Sequence, residues 1–165
     1  MSEMVYCTMQ IAVPRAWIDL EATTGKVPWF IDDLSEAFFD GIENDFDELE
    51  DRVLVDIVGQ LNYGSCAIEN ITAWLVDNQI PFVLHEEDGC EWDACWTSFN
   101  GYEHRQGLLC WNTGPVLSQN DILAARANQA DPNTWIDDYF AFANLKLDHI
   151  VMPDQPADCP PRPKE

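Results

Sequence analysis

One stretch of the chain combines the residue types that nucleophilic catalysis requires. Residues 60–66, Gln-Leu-Asn-Tyr-Gly-Ser-Cys, end where a helix is predicted to begin. A cysteine at a helix N-terminus is a better nucleophile because the helix dipole stabilises the thiolate. Gln60 supplies an amide that can donate to an oxyanion, and His149 is the downstream candidate for the base that activates Cys66. These residues define a candidate cysteine hydrolase site.

The segment resembles the cysteine segment of papain-like proteases, which has the same spacing between glutamine and cysteine. The resemblance covers seven residues of 165. Ala67 and Ile68 depart from the family pattern, which has an aromatic and a small residue there. Asp154 is a poor orienting partner for His149, and little chain remains to complete a strand layer. We favour the structural interpretation, in which Ser65 caps a helix and Cys66 packs against the core.

A second group of reactive side chains spans a predicted hairpin. Its members are His85, Glu86, Glu87, Asp88, Cys90, Glu91, Asp93, Cys95, His104 and Cys110. The spacing of Cys90 and Cys95 falls within the range of zinc-binding pairs, but no second compact pair follows. Alternation along a strand would also distribute these groups over both faces of the sheet. We therefore predict no metal and no cofactor.

The charge balance excludes several classes of function. Thirty Asp and Glu face eight Lys and Arg, so the formal net charge is −22. Such a chain repels phosphate backbones and anionic lipids and attracts cationic surfaces. No apolar run spans a bilayer and no secretory signal begins the sequence, and the six cysteines are expected to be free thiols, so we predict a cytoplasmic protein. Adaptation to high salt is an alternative explanation for the acidity.

Acidic residues are most concentrated between Asp32 and Asp51, where ten carboxylates occur without Lys or Arg. Apolar residues spaced by three or four predict a long amphipathic helix over 28–51. On that helix eight acidic residues fall within an arc of about 100°. They are the predicted partner-binding residues: Asp32, Asp33, Glu36, Asp40, Glu43, Asp47, Glu50 and Asp51.

This predicted stripe suggests mimicry of nucleic acid. Ten charges over twenty helical residues give one per ~3 Å, close to the ~3.4 Å phosphate spacing of one DNA strand. The leading hypothesis is a non-enzymatic inhibitor or decoy that binds a basic nucleic-acid channel, such as that of a restriction or CRISPR-type complex. The chain resembles anti-restriction DNA mimics in charge and size only. The alternatives are the cysteine hydrolase, an acidic accessory protein of a mobile element, and an ordinary solvated helix.

The remaining pattern predicts an α+β fold, with a mostly antiparallel sheet and helices packed on one face. Strands are predicted at 4–13, 53–58, 81–85, 92–99, 108–111 and 149–152, and further helices at 66–78, 118–128 and 133–145. Continuation of the long helix through Val53 and Ile57 is an alternative to the second strand. We predict one domain over 1–152 and a proline-rich tail over 153–165 that is extended and poorly ordered.

Overall fold

A computed structural model describes residues 4–19, 27–62, 67–87, 93–110 and 113–164. Seven strands are present: β1 (Met4–Pro14), β2 (Phe38–Glu48), β3 (Arg52–Asn62), β4 (Phe82–Glu86), β5 (Cys95–Phe99), β6 (His104–Cys110) and β7 (Gly114–Val116). The helices are α1 (Trp29–Ala37), α2 (Ala67–Asp77), α3 (Gln119–Asn128) and α4 (Pro132–Ala143), with a 3₁₀ turn at Arg15–Trp17. None of these helices is long and apolar enough to cross a membrane.

All seven strands belong to one sheet with the order β2-β3-β1-β4-β5-β6-β7, and every pairing is antiparallel. β1 pairs with β3 along its whole length, from Met4 opposite Asn62 to Pro14 opposite Arg52. The predicted α+β class with an antiparallel sheet is therefore confirmed. β2 and β7 are the two edge strands of the described sheet.

The main core lies on the sheet face that α1 and α2 cover. Alternation along β1 directs every second side chain, from Val5 to Val13, to this face. These side chains are buried against Phe30, Ile31 and Leu34 of α1 and against residues of α2. Full burial of such side chains contributes roughly 1.5–3 kcal/mol each. The apolar faces of α1 and α2 thus pack on the apolar side chains that β1 directs toward them.

The opposite face is covered by α4, on which α3 packs. Trp96 of β5 pairs with His85 of β4, which pairs with Thr8 of β1, so these three side chains share a face. Trp96 is buried against α4, where its Nε1 lies 3.3 Å from the hydroxyl oxygen of Tyr139. The prediction that all helices pack on one face is therefore wrong. α1 and α2 cover one face, and α4 covers the β5–β6 part of the other face, where Trp96 presents a large apolar surface.

The predicted long helix over 28–51 is also wrong, because α1 ends at Ala37 and β2 begins at the next residue. Phe38, Ile42 and Phe46 follow each other at intervals of four residues. Residues i and i+4 lie on the same face of a helix and also on the same face of a strand, so this spacing does not distinguish the two conformations. Like-charge pairs such as Glu43 and Asp47 disfavour the helix locally. Pairing with β3 decides the outcome, since it places Phe46 opposite Val55 and against the main core.

Most other predicted elements are found with small shifts in their ends. The strand predicted at 53–58 is β3, which excludes the continued helix, and the helices predicted at 66–78, 118–128 and 133–145 are α2, α3 and α4. The short strand predicted at 149–152 is wrong, since this segment has no regular structure. Its neighbours Leu145 and Leu147 instead pack with Ala12 and Leu54 on the sheet face opposite the main core.

Candidate partner-binding surfaces

Exposed carboxylates cluster where β2 ends and turns into β3. We call this surface the acidic edge, and its described members are Asp45, Asp47, Glu48, Glu50 and Asp51, all exposed. Alternation along β2 sends Phe46 toward the core and its neighbours Asp45 and Asp47 to the other face. The turn is closed by the backbone N–H of Leu49, which donates to the carbonyl of Arg52 at 2.8 Å.

Two members of the acidic edge are neutralised by the protein's own arginines. Arg15 Nη2 lies 2.5 Å from Glu48 Oε2, and both side chains are nearly half exposed. Arg52 donates to both carboxylate oxygens of Asp51, at 2.7 and 2.9 Å. These hydrogen bonds hold the pKa of the Asp51 carboxyl below its ordinary value. Glu48 and Asp51 therefore contribute less free negative charge than the sequence alone suggests.

The remaining carboxylates of the edge are not compensated in this way. Asp45, Asp47 and Glu50 form no ion pair with any residue in the described part of the chain. Asp45 also lies directly opposite Asp56 of β3. Like charges opposite each other disfavour strand pairing, although Gln10 Nε2 donates to Asp56 Oδ1 at 2.8 Å. The edge keeps an unfavourable concentration of negative charge that binding to a cationic group would relieve.

The eight predicted partner-binding residues do not form one stripe. Asp32, Asp33 and Glu36 lie on α1, whereas Asp47, Glu50 and Asp51 belong to the acidic edge. The backbones of Asp40 and Glu43 lie in β2, and their side chains are outside the described part of the structure. The geometry of one carboxylate per ~3 Å along a helix is thus lost, since same-side residues of a strand are ~6.6 Å apart.

A second surface, which the sequence analysis missed, lies between α1 and α2. We call it the tail groove, and its residues are Trp29, Asp33 and Glu36 of α1 with Trp74 and Asp77 of α2. The C-terminal tail has no helix or strand over its described residues, and it packs against the domain. The indole N–H groups of Trp17 and Trp29 donate to the carbonyls of Pro156 and Pro160, at 2.9 and 3.0 Å.

The structure does not bring the candidate hydrolase residues together. Cys66 lies outside the described residues, and Gln60 is exposed on β3. His149 is exposed and lies 3.4 Å from Asp148, in a segment whose carbonyls at Leu147 and Ile150 accept hydrogen bonds from Arg52. Arg52 is eight residues from Gln60 along β3, so the two positions are separated by ~26 Å. Gln60 and His149 therefore cannot act on one bound group.

Two of the described thiols, those of Cys7 and Cys95, are poor nucleophiles. Cys95 Sγ lies 3.3 Å from Glu86 Oε2 and donates to it. Burial, together with the negative charge of Glu86, raises the pKa of both Cys7 and Cys95 to about 12. Among the described residues no three His, Cys, Asp or Glu side chains are grouped so as to hold a metal ion. Asp88, Cys90 and Glu91 of the predicted cluster fall outside those residues.

A cavity of about 430 Å³ lies on the sheet face opposite α1 and α2. His85, Tyr6, Thr8 and Leu109 contribute to its lining. His85 Nε2 is buried and has no hydrogen-bond partner among the described residues. Burial also lowers the pKa of the imidazole, which keeps the ring neutral. The carboxylates of Glu86 and Glu87 also belong to the lining, although most of the surface that the cavity exposes is apolar.

Comparison with known proteins provides no related protein whose function could explain these surfaces. The acidic edge and the tail groove therefore have to be interpreted from their own charges, burial and contacts. Neither a protein-family model, nor a curated protein, nor a solved structure matches this chain.

Proposed function

We propose that this protein is a non-enzymatic interaction protein whose acidic edge binds a positively charged surface of a partner. The observation that carries the proposal is the set of exposed carboxylates of Asp45, Asp47 and Glu50 at the border of the sheet, which form no ion pair with any residue that the structure describes. A molecule with net charge −22 also attracts cationic partners over long distances and accelerates their association. The partner is a protein with a basic face.

Basic nucleic-acid-binding sites are the natural class of partner. Their Lys and Arg side chains are arranged to neutralise phosphates, and a dense set of carboxylates competes for the same side chains. In this form the protein is an inhibitor or decoy of a nucleic-acid-binding complex, such as a restriction or CRISPR-type assembly. The acidic residues do not reproduce a regular phosphate spacing, because they are divided between a strand edge and a short helix.

The position of the carboxylates on an edge strand adds a second argument. An edge strand presents unpaired backbone N–H and C=O groups, and charged side chains are a common protection against pairing with other copies. Within the described chain no strand pairs with the outer side of β2. Its acidic side chains disfavour association of two copies through this edge and permit approach of a basic segment. Charge thus determines which partner the edge accepts.

The test compares three immobilised full-length chains that differ in where charge is reversed. They are the wild type, the edge variant Asp45→Lys/Asp47→Lys and the control variant Asp137→Lys/Asp138→Lys. Asp137 and Asp138 are exposed on α4, which packs on the other half of the sheet. Both variants replace two negative charges by two positive ones, so the net charge of the two chains is identical. Captured proteins from the host lysate are eluted with rising salt and identified by mass spectrometry.

The proposal requires one captured basic protein to show three properties. Its retention by the edge variant falls at least about tenfold, whereas the control variant retains it as the wild type does. Its retention weakens steeply with salt, because charged contacts are screened. A double-stranded DNA oligonucleotide competes for it. Equal losses in the edge and control variants would assign the binding to net charge alone and would refute a role for the edge.

A further inference from the structure

The C-terminal tail is the segment of this chain whose composition differs most from the rest. Residues 153–164 contain five prolines together with Arg162 and Lys164, two of the eight basic residues of the protein. Proline fixes the backbone near polyproline II and leaves its carbonyls without internal hydrogen bonds. These carbonyls are therefore free to accept hydrogen bonds from another surface, at a low entropic cost of ordering the segment.

The tail groove supplies the matching donors and aromatic surfaces. Trp29 donates its indole N–H to the carbonyl of Pro160 at 3.0 Å and packs edge-on against Trp74, with ring centroids 4.8 Å apart. Farther back along the tail, Trp17 makes the equivalent bond to Pro156. Aromatic grooves that bind proline-rich ligands use this combination of flat rings and donors to prolyl carbonyls.

Arg162 provides the charged part of the same contact. Its guanidinium forms an ion pair with Asp33, one helical turn beyond Trp29 on α1. It also lies over the Trp29 ring, with the guanidinium carbon 5.6 Å from the ring centroid, which is within the range of a cation–π contact. The groove thus recognises an arginine next to prolines through one carboxylate and one indole ring.

The groove offers more negative charge and space than the tail uses. A cleft of about 680 Å³ remains beside the tail, lined by Glu36 of α1 and Asp77 of α2 as well as by Asp33. Glu36 and Asp77 are exposed and form no ion pair with any described residue, whereas Asp33 is paired. A ligand with more basic residues than the tail would neutralise carboxylates that the tail leaves free.

We propose that the tail groove is a docking site for an extended, proline-rich segment of a partner protein that carries several arginines or lysines. The chain's own residues 156–164 occupy the site in the absence of that partner and are displaced by it. A second copy of this chain is disfavoured as the source of the segment, because two molecules of charge −22 repel each other. The proposal is independent of the acidic edge, and its test leaves that edge unchanged.

The tethered tail sets the threshold that a partner must overcome. A short flexible tether gives an effective concentration in the millimolar range, so a free peptide competes poorly with an intact tail. The ion pair between Arg162 and Asp33 is partly exposed, with side-chain exposures of 61% and 25%, and exposed pairs contribute little to stability. Losing this pair therefore leaves the groove and the core intact. A glutamate at position 162 is in addition repelled by Asp33, Glu36 and Asp77 and loses the contact with the Trp29 ring, which releases the tail end.

The test uses the full-length Arg162→Glu chain and a synthetic peptide, Ser-Pro-Pro-Arg-Pro-Lys, which matches residues 159–164 with serine in place of Cys159. Binding is measured by isothermal titration calorimetry, and the fold is checked by circular dichroism. The Arg162→Glu chain should bind the peptide about tenfold more tightly than the wild type, because the competing tail is weakened. Adding Trp29→Phe, which keeps the ring but removes the N–H donor, should weaken binding about fivefold.

Two controls separate specific docking from general attraction of a basic peptide. The peptide Ser-Gly-Gly-Arg-Gly-Lys has the same charge without proline, and it should bind the Arg162→Glu chain at least about tenfold more weakly. The Asp45→Lys/Asp47→Lys change in the same chain should leave peptide binding unaltered. Equal binding of both peptides, or no gain in the Arg162→Glu chain, would overturn the proposal. A wild-type dimer in sedimentation experiments that dissociates when the tail peptide is added would assign the groove to a second copy and would also overturn the proposal.

Discussion

Arg52 is a buried arginine that connects the segment after α4 to the sheet, and its replacement should destabilise the fold. It is the one charged side chain buried in the described part of the chain, although it begins the edge-adjacent strand β3. Its Nη1 donates to the carbonyls of Leu147 at 2.7 Å and Ile150 at 2.9 Å, and thereby fastens the segment after α4 to the sheet. The substitution Arg52→Met keeps an apolar side chain of similar reach and removes all of its donors.

The expected loss follows from which acceptors are left without a partner. A hydrogen bond to a charged group contributes about 1.5–3 kcal/mol. The Leu147 bond is buried, but the Ile150 carbonyl is only partly buried and regains contact with water. Asp51 is 56% exposed, so its ion pair adds little. We expect Arg52→Met to lower the free energy of unfolding by about 2–4 kcal/mol, and the melting temperature by about 5–15 °C.

Urea unfolding at neutral pH, followed by tryptophan fluorescence, measures this loss. The matched control is Arg15→Met, which removes an arginine paired with Glu48 where both side chains are nearly half exposed. The control should cost no more than about 1 kcal/mol. Equal losses for the two substitutions would refute the reasoning, since they would mean that the buried carbonyls find other donors and that Arg52 does not anchor the segment.

Two further predictions concern the half of the sheet under α4 and the buried imidazole. A Cβ on Gly107 would collide with the hydroxyl of Tyr139 and lie 2.8 Å from Trp96 Nε1, so Gly107→Ala should cost about 1–3 kcal/mol in urea unfolding. In a Tyr139→Phe background, which already lacks the hydroxyl and its hydrogen bonds with Trp96 and Val116, Gly107→Ala should cost less than in the wild type, and an equal cost would contradict the collision. Burial lowers the pKa of His85 below its ordinary value of 6.5, so the unfolded chain takes up a proton first on acidification and stability falls below about pH 6.5. In His85→Leu the decrease in unfolding free energy between about pH 7.5 and about pH 5.5 should be smaller than in the wild type, and an equal decrease would exclude His85 as a source.

Local patterns were sufficient to predict the elements whose periodicity has one interpretation. The alternation of Val5, Cys7, Met9, Ile11 and Val13 fits a strand and no helix, and β1 was predicted almost to its ends. Serine is a favoured residue type at the helix N-cap, and at the start of α3 the Ser118 side chain accepts a hydrogen bond from the Asp121 N–H at 3.1 Å. Such signals depend on neighbouring residues alone, so no knowledge of the fold is needed to interpret them.

The candidate sites were predicted less well, because they depend on which segments meet in space. The acidic residues of 32–51 were recognised, but their single helical stripe was not found. Gln60 and His149 have the residue types that a cysteine hydrolase site requires, but they lie near opposite ends of β3. The tail groove was not predicted, because the sequence does not distinguish Trp17 and Trp29 from tryptophans that serve the core alone.

Composition by itself determined the acidity of the protein and the restricted backbone of its proline-rich tail, because these properties are sums over residues or local restrictions on φ. Tertiary structure alone decided that residues 38–48 form a strand. Apolar residues at intervals of four fit a helix and a strand alike, and only pairing with β3 favours the strand. Tertiary structure also decided that the tail lies in a groove, because the donors of Trp17 and Trp29 are more than a hundred residues away along the chain. Interactions between such distant segments leave no periodicity in the sequence.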